Sequence, residues 1–150
     1  IVNCHDKQWS HSEKLYAKTS WMTFPDEDYQ LEQINEAGLA IGAYDRDKCI
    51  GLAIFKDSWF KYLFLDDLKV SQAYRRKGVA DQLIRRGFQI AQEKHYAGLW
   101  TMGQDNNLGA CRFYLAEGFV IGGLNTMGYR HTVQADKSDI YFFLDQLNNQ

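Results

Sequence analysis

Proline is almost missing from this sequence, with a single residue in 150. No apolar run approaches the roughly 20 residues that a membrane-spanning helix needs, which excludes a helical membrane protein as the expected class. Cysteine is scarce too: Cys4, Cys49 and Cys111 are odd in number and far apart, so they form neither a disulfide framework nor a paired set of metal ligands. A reducing cytoplasm is the expected compartment. His5, His11, His95 and His131 show no ligand spacing either, so no metal site is expected. Charge of one sign is not in excess. Lys and Arg number 17 against 19 Asp and Glu, a formal net charge of −2, and this removes the broad basic field of a general nucleic-acid or membrane-surface binder. Internal repeats, Ser/Gly linkers and low-complexity tracts are absent.

Ordinary globular usage remains, with 45% hydrophobic and 24% charged residues, enough for a packed core in one domain over residues 1–150. The N-terminal part is open as incomplete, since the sequence starts at Ile1 rather than Met. Residues 1–37 are polar and irregular. Residues 39–44 and 49–55 are apolar-rich runs around the polar turn Asp45-Arg46-Asp47-Lys48, which predicts an antiparallel hairpin. Residues 62–70 are rich in aromatic and branched side chains and read as a longer strand. From Val79 to His95 the period changes. Val79, Ala80, Leu83, Ile84, Phe88, Ile90 and Ala91 recur at three- and four-residue spacing, the mark of an amphipathic helix. A strand at 99–102, a helix at 108–116 capped by Asn106 or Asn107 and stopped at Gly118, and strands at 119–121 and 140–144 complete the chain. Strand, turn, helix, strand beside hairpins predicts an α/β fold with a mixed sheet.

The most informative stretch runs from Val70 through Tyr74-Arg75-Arg76-Lys77-Gly78-Val79-Ala80, a strand leading through three cations and a glycine into a helix. A helix start offers unpaired backbone N–H groups and the positive end of a dipole, and small residues let an anion approach the main chain. A solvated basic loop with a glycine in a tight turn is the other reading. No Gly-Lys-Ser/Thr and no Gly-x-Gly-x-x-Gly is present, which sets aside nucleotide hydrolysis and hydride transfer.

Arg75, Gly78 and Ala80 match the Arg/Gln-x-x-Gly-x-Gly/Ala pyrophosphate loop of the GNAT superfamily of N-acetyltransferases. Asn107-Leu108-Gly109-Ala110-Cys111-Arg112-Phe113-Tyr114 followed by Gly118-Phe119 resembles the second signature of that family. Gln104 to Leu108, Ala110 to Tyr114 and Thr126-Met127-Gly128-Tyr129 are similar to streptothricin acetyltransferases in particular, and the resemblance covers roughly residues 39–145. It implies the GNAT-like fold, a central mixed, mostly antiparallel twisted sheet flanked by helices, and acetyl-CoA as cosubstrate. It further implies a cosubstrate site made of Leu68, Val70, Arg75, Arg76, Lys77, Gly78, Val79, Ala80, Asn107, Ala110 and Tyr114. Partners implied are acetyl-CoA and a small amine, with no nucleic acid and no membrane, and with a homodimer left open.

Acetyl transfer to an amine meets a protonation problem. A primary amine of pKa about 10.4 is cationic at pH 7, and exposing its lone pair costs roughly 4–5 kcal/mol. Asp66 and Asp67, inside the strand that leads to the basic turn, are the candidates to bind the cation and take its proton. Strand alternation sends them to opposite faces unless a bulge intervenes. The other reading pairs one of them with Lys69 or with a basic side chain across the sheet. Tyr114, with a phenol pKa of about 10, is the expected general acid for the departing thiolate, in a direct aminolysis; Cys111 lacks an evident base and is read as a small buried hydrophobe. Trp59 and Tyr141, with Trp21, Phe60 and Tyr62, are aromatic candidates for an acceptor pocket, and Asp26, Glu27 and Asp28 could add negative potential at its mouth. The expected activity is acetyl-CoA-dependent acetylation of a small cationic amine, with streptothricin as first acceptor. The alternatives are a housekeeping polyamine, metabolite or protein N-terminal acetyltransferase, and a non-catalytic acyl-CoA-binding sensor.

Overall fold

The computed structural model describes residues 1–18, 21 and 27–145. Its layering follows from side-chain alternation along the strands. In β5 (Tyr62–Val70) Leu63 and Leu65 are buried, as are Ala53 and Phe55 of β4 (Lys48–Lys56), Leu99 of β6 (Gly98–Gln104), and Ile140, Phe142 and Leu144 of β8 (Asp139–Asp145). These side chains form one core with Leu83, Ile84 and Ala91 of α2 (Val79–Glu93) and Cys111 of α3 (Leu108–Ala116). Both helices therefore cover the same face of the sheet. Among the described residues the seven largest fully buried side chains are all apolar, and burial of each is worth roughly 1.5–3 kcal/mol. Gly87 lets α2 come close: a Cβ there would lie 2.2 Å from the Phe55 ring.

The sheet order is β3-β4-β5-β6-β8-β7, with β3 at Gly38–Asp45 and β7 at Val120–Asn125. Every neighbouring pair is antiparallel except β5 and β6, which α2 connects. The mixed, mostly antiparallel sheet with helices is thus present as expected; β5 and α3 have the expected bounds, β6 and β7 run longer than the patterns implied, and α2 ends at Glu93, two residues short of His95. Asn107 caps α3 by accepting the Ala110 N–H at 3.2 Å, and Gly118, at φ +89°, follows the helix end.

The N-terminal region is more ordered than its composition suggested. It carries a hairpin, β1 (Val2–His5) and β2 (Gln8–His11), and a short helix, α1 (Leu31–Ala37), that runs directly into β3. The hairpin turn is made by Asp6 and Lys7 at φ +50° and +62°, so none of the glycine-containing dipeptides that announce such turns is present. Arg112 of α3 donates to Glu13 at 2.7 Å, tying the segment after the hairpin to the domain.

Candidate active site

At the end of β5 the chain turns through a single 3₁₀ turn (Gln72–Tyr74), and the Arg75 Nε folds back to donate to the Val70 carbonyl at 3.1 Å. Gly78, at φ +79°, is the N-cap of α2 and no side chain caps it. The first helical bond runs from the Gln82 N–H to the Gly78 carbonyl, so the N–H groups of Val79, Ala80 and Asp81 have no partner within the helix. A Cβ at Gly78 would meet nothing within 4 Å. The glycine opens on a cleft of about 340 Å³ lined by Val70, Tyr74, Arg75, Arg76, Val79, Ala80 and Asp81 of this segment, and by Phe113 and Glu117 from α3. Two guanidinium groups and a helix N-terminus facing one cleft fit a diphosphate. Lys77 is not part of that lining; it lies over the Tyr74 ring at 5.4 Å, with Lys48 over the same ring at 5.8 Å.

Beside this cleft the sheet comes apart. β5 and β6 pair through Tyr62↔Gly98, Leu63↔Leu99 and Phe64↔Trp100 and no further, although both strands continue. Thr101 stands where the ladder stops. Its hydroxyl donates to the Leu65 carbonyl at 2.8 Å, and the Tyr114 phenol hydrogen-bonds that hydroxyl from α3. Among the described residues Thr101 is the only buried polar side chain. Burial holds the phenol above its ordinary pKa, the Asp67 charge and Cys111 add to this, and the Thr101 bond acts against it. The phenol is therefore protonated at neutral pH.

Across the gap lies the acidic pair. Ile54 pairs with Asp67 but Phe55 pairs with Leu65, so Asp66 is the extra residue of a β-bulge. Leu63 and Leu65 face the helices before it, and Leu68 and Val70 face them after it. The interval is odd, and both carboxylates consequently emerge on the face away from α2 and α3. The bulge overrides the opposite-face expectation of a regular strand. Each carboxylate holds a lysine: Asp66 Oδ2 lies 2.8 Å from Lys56 Nζ, and Asp67 Oδ2 lies 3.3 Å from Lys69 Nζ and accepts from the Tyr29 phenol. The ion-pair reading thus applies to both aspartates.

Alternation places Tyr62, Phe64, Trp100, Tyr141 and Phe143 on this same outer face, where Trp100 meets Phe64, Tyr141 and Phe143 at centroid distances of 4.5–6.1 Å. Phe60 packs edge-on against Trp100, and Trp59, 86% exposed, lies 3.8 Å from Phe60 at the edge of the cluster. Trp21 is exposed. Glu27 and Asp28 are exposed, and Asp26 lies outside the described residues. Asn107 and Ala110 are engaged with each other through the α3 cap. Cys111 is buried, its thiol pushed up by that burial and 3.4 Å from the Gln104 carbonyl, which fits a packing role.

Four site residues escaped sequence reasoning: Thr101, Tyr29, Tyr74 and Glu117. Thr101 had a signal, a hydroxyl in the apolar run Leu99-Trp100-Thr101-Met102, and Tyr74 lay inside the basic stretch without being assigned a role; Tyr29 and Glu117 reach the site from distant segments and had none.

The chain matches the model of the acetyltransferase (GNAT) family over residues 5–119. It is 31% identical over 136 residues to streptothricin acetyltransferase A of Bacillus subtilis (strain 168), an alignment that covers 90% of this chain and 79% of that protein. A crystal structure assigned as a streptothricin acetyltransferase of Bacillus anthracis str. Ames, in complex with acetyl coenzyme A, superposes with a TM-score of 0.69 at 33% identity, over 73% of this chain and 63% of that one. A nourseothricin acetyltransferase structure matches with a TM-score of 0.77 over 97% of this chain and 82% of that one; at 22% identity it speaks for the fold alone.

Proposed function

The chain belongs to the GNAT family of acetyl-CoA-dependent N-acetyltransferases, and from that premise we propose that it acetylates a primary amine of a small cationic acceptor, with streptothricin or a close analogue as the first candidate. The observation that carries this reading is the β5/β6 ladder stopping at Phe64/Trp100, with Tyr114 on one side of the gap and the Asp66-Asp67 bulge on the other. Acetyl-CoA supplies the reactive thioester when bound. Arg75, Arg76 and the amides of Val79 and Ala80 hold its diphosphate, Leu68 and Val70 flank the pantetheine arm, and the gap receives the acyl end.

On the outer face, Asp66 and Asp67 draw the acceptor ammonium away from bulk water, and the acceptor replaces a lysine on at least one of them. The carboxylates pass the ammonium proton to water, which frees the lone pair for direct attack. Trp59 and Tyr141 offer ring faces to the body of a cationic acceptor. Tyr114 then donates its proton to the departing thiolate and is reprotonated by the proton that the acylated nitrogen sheds. Support for streptothricin comes from the Bacillus subtilis relative and from the short motifs around Gln104, Ala110 and Thr126.

Incubation with acetyl-CoA and streptothricin, followed by detection of free thiol, tests the acceptor directly. Release well above background is expected, and its absence rejects this acceptor. Polyamines, aminoglycosides and N-terminal peptides in the same assay test the wider class. Acetyl-CoA binding with no release for any amine would replace catalysis by sensing.

A further inference from the structure

Asp66 and Asp67 emerge on one face of the sheet, yet they hold their lysines in different ways. Asp66 takes Lys56 from the neighbouring strand β4. Asp67 takes Lys69 from two residues further along β5, where strand alternation returns a side chain to the same face. Lys69 Nζ lies 3.3 Å from Asp67 Oδ2 and 5.0 Å from the centre of the Tyr29 ring. The Tyr29 phenol donates to that same Asp67 oxygen, so the carboxylate and the ring are tied to each other. Tyr29 comes from the segment that leads into α1, whose N-cap is Gln30.

A carboxylate and a ring face around one ammonium make a cation subsite. The group that fills it is a primary alkylammonium on a flexible stem, chemically the same as the reacting end of a cationic amine. The Lys69 side chain is 45% exposed, so it can swing into water without unpacking the core. An exposed ion pair of this kind is weak enough for a solute cation to displace. Asp67 is also the carboxylate whose charge acts on the Tyr114 phenol from across the gap.

We propose that the Asp67 carboxylate and the Tyr29 ring form the subsite for the acceptor ammonium, and that Lys69 is its resident competitor, displaced when the acceptor binds. This rests on the acetyl-transfer reading. Tyr29 thereby becomes an acceptor-binding residue, and Lys69 sets a threshold: a solute without a cationic amine leaves the lysine in place.

The test uses an effect that structural damage does not mimic, a gain in acceptor affinity. Of streptothricin, spermidine, an aminoglycoside and an N-terminal peptide, the amine that wild type acetylates fastest serves as the probe. Lys69→Met removes the competitor and keeps the stem, and the Michaelis constant for the amine should fall by roughly two- to fivefold, the worth of an exposed ion pair, with acetyl-CoA affinity unchanged. Lys56→Met removes the same charge from the Asp66 pair and should give a smaller gain. Tyr29→Leu added to Lys69→Met should raise the constant again by roughly two- to fivefold, the worth of an exposed cation–ring contact, whereas Tyr29→Phe, which keeps the ring, should lose less. In an Asp67→Asn background Lys69→Met should bring no gain. An unchanged or higher constant in Lys69→Met, an equal gain in Lys56→Met, or a gain that persists beside Asp67→Asn overturns the subsite while the acetyl-transfer reading stands. No thiol release in wild type with any of the four amines overturns both.

Discussion

The two sides of the gap between β5 and β6 are built by different means. On the helix side, the cleft proposed for the diphosphate comes mainly from one continuous stretch, Val70 to Asp81, which brings the start of α2 and two arginines to it. On the outer side, Asp66 and Asp67 are brought together by a single-residue bulge, and they are held by Lys56 from the neighbouring strand and by Tyr29 from a segment nearly 40 residues upstream. A site of amides needs only the right turn and a small residue, so it tolerates change elsewhere. A site of side chains needs several segments in register, and it is there that acceptor choice can be altered without disturbing the cosubstrate.

If that division holds, variants on the two sides should separate cleanly in kinetics. The largest effect is expected at Tyr114, which stands between them. Tyr114→Phe removes the proton donor and leaves the ring, so turnover should fall by roughly 10²–10⁴-fold, the usual range for a general acid, with acetyl-CoA affinity unchanged. Unchanged turnover would remove the phenol from the chemistry. Next comes Gly78→Val. A β-branched residue at φ +79° is strained by roughly 1–2 kcal/mol, and its side chain projects into the cleft; acetyl-CoA should bind about tenfold or more weakly by calorimetry, while the Michaelis constant for the amine stays as it was. Unaltered binding would place the diphosphate elsewhere.

Asp66→Asn and Asp67→Asn probe the opposite side. Each is expected to raise the Michaelis constant for a cationic amine by up to about tenfold and to leave acetyl-CoA affinity alone. The larger of the two effects identifies the carboxylate that meets the acceptor. If either variant instead weakens acetyl-CoA to the same extent, the two sides are not independent and the comparison fails.

The same contrast explains what the sequence made legible. The cleft could be read because its parts are adjacent in the chain: a strand pattern ending at Val70, three cations, a glycine, and a period change at Val79. Asn107 and Gly118 marked α3 for the same reason. The outer side resisted, because a bulge leaves no trace in composition and Asp66-Asp67 within a regular strand would have split across the sheet. Tyr29 and Glu117 are ordinary residues until the fold carries them to the site. The hairpin of Val2–His5 and Gln8–His11 was missed on local grounds, since its turn uses left-handed Asp6 and Lys7 where glycine is the usual signal.

The smallest kinetic effect is expected at Thr101, and it tests how the gap itself is held. Its hydroxyl joins the Leu65 carbonyl of β5 to the Tyr114 phenol of α3 at the point where the ladder ends. Thr101→Val keeps the shape and removes both bonds, leaving a buried carbonyl and a phenol without that partner, at a cost of about 1–3 kcal/mol in stability. Because valine cannot hydrogen-bond the phenol, Tyr114 is released to sample other positions, and turnover should fall a few-fold with both Michaelis constants nearly unchanged. Thr101→Ser restores the hydroxyl and should recover turnover even though it leaves a small void. Recovery of stability without recovery of turnover would make Thr101 a packing residue and leave Tyr114 to be oriented by its aromatic neighbours, Phe119 and Phe142, whose ring centroids both lie 5.4 Å away.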